Sequence, residues 1–302
     1  MKRTASARLE FDVDGPAEFV LSVAASRAYA AAPDALGTDA DAPGTDTAAP
    51  GTDADAPGTA TAAPGAARIT EEALAVTQHG APLEVREVHD HHGTLLHLCE
   101  VGAGRVTVDY RVVVEGRLDE PPVDELDLVR YRRPSRYCES DTLSPTARAE
   151  FGGLEGRDLL AAVATWVGSH LAYVPGASAP TDGAVQTLLD RQGVCRDYAH
   201  LVIALLRGLD VPARLVSVYA PGLSPMDFHA VAEAFVDGAW HVVDATGLAP
   251  RQTLLRIATG RDASDTAFLS SHGGRVTVAG MQVGAVADVL PRDDVTTFVS
   301  LG

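Results

Sequence analysis

Gly193-Val194-Cys195-Arg196-Asp197-Tyr198-Ala199-His200 runs directly into Leu201-Val202-Ile203-Ala204-Leu205-Leu206-Arg207-Gly208, and the reading of the whole chain turns on this stretch. Gly193 can turn the backbone sharply, while Gly208 and Pro212 end the apolar run, so a helix is predicted to begin at or beside Cys195 and to extend to about Arg207. That places a thiol at a helix N-terminus. Unpaired N–H groups and the helix dipole favour thiolate over thiol there, Arg196 adds positive charge nearby, and the same amides can receive a developing oxyanion.

A cysteine nucleophile also needs a base and a group that orients the base. Downstream, Arg214–Tyr219 reads as a strand, followed by a loop through Pro221-Gly222 and Pro225. Phe228–Val236 and Trp240–Asp244 then flank the turn signal Asp237-Gly238. A two-residue turn pairs Val236 with Ala239 and Val231 with Asp244. His229, two residues from Val231, then shares a face with Asp244 as its diagonal neighbour, within hydrogen-bond reach once strand twist is included. A three-residue loop without a bulge would flip the parity and separate them.

The runs GVCRDYAHL (193–201), LLRGLDVPAR (205–214), FHAVAEAF (228–235) and WHVVDATG (240–247) resemble the transglutaminase-like superfamily. The resemblance covers about residues 158–262, with Gly260-Arg261-Asp262-Ala263 similar to the end of that core in bacterial members. It implies a papain-like fold with Cys195 as nucleophile, His229 as base and Asp244 as the group that orients His229. Asp210 stands where Gly is more usual, in a turn away from the triad. None of Gln186, Gln192 and Trp166 stands at the spacing of an oxyanion donor. The strand-rich N-terminal half resembles the β domain that precedes the core in a bacterial subgroup. The expected fold class is α+β: an antiparallel β N-terminal domain over 1–140, then a papain-like transglutaminase core with C-terminal strands over 141–302.

Each triad member has an ordinary explanation when taken alone. A helical Cys is usually an apolar filler, a strand His a satisfied polar residue, and an Asp after a strand a cap. Only their joint order and flanking text single them out.

Around this core, Phe11-Asp12-Val13, Glu18–Val23, Leu83–Val88, Leu95–Leu98 and Val106–Val114 carry strand patterns, several with period-two alternation. Helices are expected over roughly Pro145–Glu150 and Asp158–Leu171. Between the early strands, residues 37–64 repeat with a period of seven, GTDADAP, GTDTAAP, GTDADAP and GTATAAP. A proline in every unit forbids a helix, and no large apolar side chain is present to offset ordering entropy. A disordered insertion over 31–67 is the expectation.

His89-Asp90-His91-His92, with His97 and Cys99, has ligand types that suit zinc, but sits at a turn by Gly93 and shows no zinc-ribbon or finger spacing, so no metal is expected. Gly102-Ala103-Gly104, Gly152-Gly153 and Gly273-Gly274 lack the strand-then-helix setting of a phosphate loop, so no cofactor is expected either. Asp262 and Asp265 read as capping or pairing residues rather than an acid–base couple.

Composition narrows the partners. The 302 residues carry 24 Lys and Arg against 41 Asp and Glu, a formal charge of −17, which repels nucleic acid and anionic membranes. The basic start Met1-Lys2-Arg3 is followed by Glu10, Asp12 and Asp14 where a signal peptide needs an apolar run, and no stretch reaches the ~20 apolar residues of a spanning helix. A cytoplasmic protein with reduced Cys99, Cys138 and Cys195 is expected. Its partner would be a peptide or protein substrate, with oligomeric state left open. The leading function is a cysteine-dependent amide hydrolase or peptidase working through a thioester. The alternatives are acyl transfer to amines, as in a transglutaminase, and a catalytically silent binding module. An accessible Cys195 in an intact triad favours catalysis, and a plugged cleft favours the module or an inhibited state.

Overall fold

The structure, a computed structural model, describes residues 1–30, 67–118 and 123–302. The seven-residue repeat, and with it the expectation of disorder, lies outside the described residues. Seven strands come first: β1 (Lys2–Val13), β2 (Ala17–Leu21), β3 (Arg68–Gln78), β4 (Ala81–Pro82), β5 (Arg86–His89), β6 (Leu95–Val101) and β7 (Gly104–Glu115). Three helices come next: α1 (Glu125–Arg130), α2 (Ser140–Phe151) and α3 (Gly156–His170). Short β8 (Ala172–Tyr173), α4 (Ala184–Asp190) and β9 (Gln192–Gly193) lead into α5 (Cys195–Gly208). Last come β10 (Ala213–Tyr219), β11 (Phe228–Val236), β12 (Ala239–Val243), β13 (Leu255–Gly260), α6 (Ala263–Thr266), β14 (Leu269–Gly273) and β15 (Val276–Ala287).

The N-terminal strands earn their place by period-two patterning. Along β1, Ala5, Ala7, Leu9, Phe11 and Val13 are buried, while Ser6, Arg8 and Asp12 are exposed. β1 and β2 enter different sheets, as do β6 with β7 and β14 with β15. One sheet has the order β15-β1-β7-β3-β4 and the other β14-β2-β6-β5, both antiparallel. The strands after Gly260, which the sequence division leaves with the second half of the chain, thus hydrogen-bond to β1 and β2 of the first.

A third antiparallel sheet has the order β12-β11-β10-β13, and β8 and β9 form a separate parallel pair. Against it lies α5, which is buried from Asp197 to Gly208 and packs with α2, α3 and α4. Its Leu201–Leu206 run is apolar all round because every face meets protein. The two halves share a core: Tyr219, Leu255 and Ile257 pack with Phe11, Phe19 and Tyr110, and the Tyr219 hydroxyl donates to the Val23 carbonyl at 2.8 Å. The N-terminal strands are therefore a fixed wall for whatever lies between the halves.

Candidate active site

α5 begins at Cys195, with Val194 as its N-cap. The cap bond comes from inside the helix: the Asp197 carboxylate accepts the Val194 N–H at 2.8 Å, satisfying one of the orphan donors of the first turn. This corrects the expected role of Gly193. Its φ is not positive; it ends β9 opposite Tyr173, and a Cβ on it would lie 2.7 Å from the Asp197 side chain. Glycine is needed there for close approach, not for a turn. Arg196 also differs from expectation. Its guanidinium is committed to Asp197 at 2.7 Å and to Ser178 and the Ala179 carbonyl at 3.0 Å, so it ties down the loop before α4 and its charge is largely matched by Asp197.

The hairpin has the register that brings His229 to Asp244. Asp237 and Gly238 have φ of 52° and 84°, the left-handed pair of a two-residue turn, and Val236 pairs with Ala239 and Ala232 with Val243. One step further sets Asp244 beside Val231, and His229 Nε2 donates to Asp244 Oδ2 at 2.8 Å with both side chains buried. Asp244 Oδ1 accepts the Thr246 N–H at 2.8 Å and the Thr246 hydroxyl at 2.7 Å, so the carboxylate both caps the turn and orients the imidazole. His229 Nδ1 is left without a hydrogen-bond partner, and Cys195, which lines the same cleft, is close enough to act on the imidazole. Burial by itself would lower the imidazole pKa; Asp244, and after it the Cys195 sulfur, overturn that penalty and lift it to about 10. Burial would likewise raise the Asp244 pKa, but His229 and Thr246 hold it below the ordinary carboxylate value.

The residue that sequence reasoning missed is Tyr173. In β8, paired in parallel with β9, it lies opposite Gly193, close enough to Cys195 for the thiol to act on its hydroxyl. Burial, then the neighbouring sulfur, push its pKa to about 12, so it stays a protonated donor at neutral pH. Its two-residue strand has no sequence signature. The three side chains weighed for that place lie elsewhere: Trp166 donates to Glu150 and stacks on His170, Gln186 donates to Asp190, and Gln192 is exposed.

Cys195 is partly exposed and, with His229, lines a cleft of about 610 Å³. One wall is apolar, formed by Ile257, Phe228, Phe268, Leu269 and Met281, the last two from β14 and β15. Cys99 and Cys138 are buried, and burial raises both thiol pKa values, that of Cys138 to about 12.

The histidine-rich turn is dispersed. His92 Nε2 lies 2.9 Å from the Tyr131 hydroxyl and 3.3 Å from Asp127, while His97 faces Glu87 at 3.5 Å. Among the described residues, no three His, Cys, Asp or Glu side chains converge as a metal site. Asp262 caps α6 through the Ser264 N–H and also accepts the Tyr137 N–H; Asp265 pairs with Arg261 at 2.9 Å. Asp262 is thus a cap and Asp265 an ion-pair partner.

Residues 148–245, a span holding Cys195, His229 and Asp244, match the model of the Transglutaminase-like superfamily. The crystal structure of a "putative cysteine protease" from Cytophaga hutchinsonii is similar over 97% of this chain and 92% of that one, at 29% identity and a TM-score of 0.77. The periplasmic domain of TgpA from Pseudomonas aeruginosa is similar over 58% of this chain and 71% of that one, at 22% identity and a TM-score of 0.37. The Mycobacterium leprae protein ML0607 is 26% identical over 214 residues, 62% of this chain and 75% of its own length.

Proposed function

With residues 148–245 a transglutaminase-like domain, we propose that the protein is a cysteine-dependent amide hydrolase acting on peptides or proteins through Cys195, His229 and Asp244. The observation that carries this reading is the buried 2.8 Å bond from His229 Nε2 to Asp244, which leaves Nδ1 for the thiol at the cleft. Similarity over nearly the full length to the Cytophaga protein supports hydrolysis over other chemistry of this fold.

In the proposed cycle the imidazolium of His229 faces the Cys195 thiolate. The sulfur attacks an amide carbon, forming a C–S bond, and the oxyanion is met by the Cys195 N–H and the Tyr173 hydroxyl. The C–N bond then breaks as His229 Nδ1 gives its proton to the leaving nitrogen. A thioester on Cys195 and a neutral imidazole remain. Water, losing a proton to that imidazole, attacks the thioester, and the acid leaves as the thiolate–imidazolium pair re-forms. Asp244 stays ionised throughout and fixes the tautomer.

Peptide mixtures and glutamine-containing peptides, incubated with wild type and Cys195→Ala in the presence of a primary amine, test the reading. New amino termini or released ammonia that depend on Cys195 support hydrolysis. Amine incorporation in their place would make the protein an acyltransferase, and no product with either protein would leave the cleft a binding site.

A further inference from the structure

The two N-terminal sheets have four outer strands, and three of them are poor templates for another chain. β4 is two residues long and contains Pro82, β5 carries Arg86 and Glu87, and β14 is short and polar. β15 differs: its twelve residues, VTVAGMQVGAVA, include no charge, and Val278, Met281 and Val286 are 50%, 40% and 64% exposed. It pairs with β1 on one side, and among the described residues no strand lies on the other. Such an edge offers a row of backbone N–H and C=O groups to an incoming strand.

β15 reaches the candidate active site: Met281 lines the same cleft as Cys195 and His229. Beside Met281 stand Leu269, Phe268 and Phe228, the two phenyl rings stacked at 5.4 Å. A second copy of the chain is disfavoured as occupant by its formal charge of −17. A substrate chain is favoured, because the group a thiolate attacks must lie in this cleft and be attached to something that leaves it.

We propose that the substrate is an extended, apolar polypeptide segment that adds as a strand to the free edge of β15 while an apolar side chain next to the attacked carbonyl seats against Phe228, Phe268, Leu269 and Met281. This rests on Cys195 being the nucleophile. It makes β14 and β15, which complete the two sheets built on β1 and β2, part of substrate selection and selects unfolded or strand-like segments over folded surfaces.

The test compares chloromethyl ketones, in which the Cys195 sulfur displaces chloride to form a C–S bond. A Val- and Thr-rich peptide ending in leucine chloromethyl ketone is set against acetyl-leucine chloromethyl ketone, and against the long peptide N-methylated at alternate residues in either register. The long peptide is expected to alkylate Cys195 roughly tenfold faster than the short probe, with one of the two methylated registers losing the gain. Hydrogen exchange across residues 276–287 is expected to slow in the long adduct and not in the short one. No gain, a gain that survives both methylations, or unchanged exchange would overturn the proposal. So would protection of 276–287 in a self-associated protein before any probe is added, which would make the edge a contact between copies. Iodoacetamide distinguishes the two levels: failure to single out Cys195 removes the nucleophile itself, whereas selective labelling of Cys195 without a peptide preference removes this proposal alone.

Discussion

At Asp244 the two carboxylate oxygens do different work, one holding His229 and the other Thr246. The hairpin arithmetic makes the first contact legible in the sequence, since Asp237-Gly238 fixes a two-residue turn and period two does the rest. Tyr173 was not legible, because only the parallel β8–β9 pairing, between two-residue strands without a sequence signature, sets it beside Gly193 and so near Cys195. In the proposed cycle its hydroxyl is a donor to the oxyanion. Tyr173→Phe should therefore lower turnover of a cleaved peptide by about 10²-fold while leaving iodoacetamide alkylation of Cys195 selective. Steady-state rates and peptide mapping on one preparation check both halves, and undiminished turnover would remove Tyr173 from the site.

Among the elements, α5 is the one most fully written in the sequence: its span from Cys195 to Gly208 and its apolar interior match the expected helix, with a run that tolerates burial on every side. The reason for Gly193 was not visible, since it depends on where the Asp197 side chain folds back. Gly193→Ala should push Asp197 off the Val194 N–H, cost about 1–2 kcal/mol in denaturant unfolding and slow Cys195 alkylation as the helix start shifts. Unchanged stability would show that the cap does not need the glycine. Asp210 illustrates the opposite case. Its φ of 63° explains why Gly suits that turn, and Asp tolerates the left-handed region better than most side chains. β3 escaped the sequence reading because Arg68-Ile69-Thr70-Glu71-Glu72-Ala73-Leu74-Ala75 is rich in helix formers and is mostly exposed in the sheet, so pairing with β7 overrides propensity.

Over the whole molecule, α+β architecture with a strand-rich first half was readable from periodicity, but which strands share a sheet was not, because β14 and β15 pair with the opposite end of the chain. The same holds for the buried ion network on the third sheet, whose members come from β10, β11 and β13. Glu233 accepts from both Arg214 and Arg256 and, although burial would raise its pKa, these guanidinium groups hold it at about 2. Glu233→Gln should cost about 3–5 kcal/mol, because it leaves the buried Arg256 without its carboxylate and Arg214 with only Asp127, at 3.6 Å. A loss under 1 kcal/mol by urea unfolding, against that ~3–5 kcal/mol, would contradict it.

Stability should also have a defined pH dependence. Burial lowers the pKa of His92 to about 3 and of His200 to about 4, from 6.5 when unfolded. The unfolded chain therefore binds the extra protons below 6.5, and stability falls as pH drops from there toward 4. His229 has the opposite sign: raised to about 10, it binds its proton more tightly when folded, so its contribution is complete below 6.5 and is lost as pH rises toward 10. Melting temperatures from about pH 5 to about pH 9 should peak near 6.5. A monotonic rise across that range would contradict the His229 assignment.

The central claim is that Cys195 is activated by His229 held by Asp244. Its most direct test is the second-order rate of iodoacetamide alkylation at pH 7, read by peptide mapping in wild type, His229→Ala, Asp244→Asn and the double variant. In Asp244→Asn the amide oxygen is drawn to the Thr246 N–H and its NH₂ to the imidazole, reversing the tautomer that presents Nδ1 to sulfur. The account predicts preferential labelling of Cys195 over Cys99 and Cys138 in wild type, a fall of roughly tenfold or more in each single variant, and little further loss in the double. A folded Asp244→Asn protein that alkylates Cys195 at the wild-type rate, or equal labelling of all three cysteines in wild type, would contradict it.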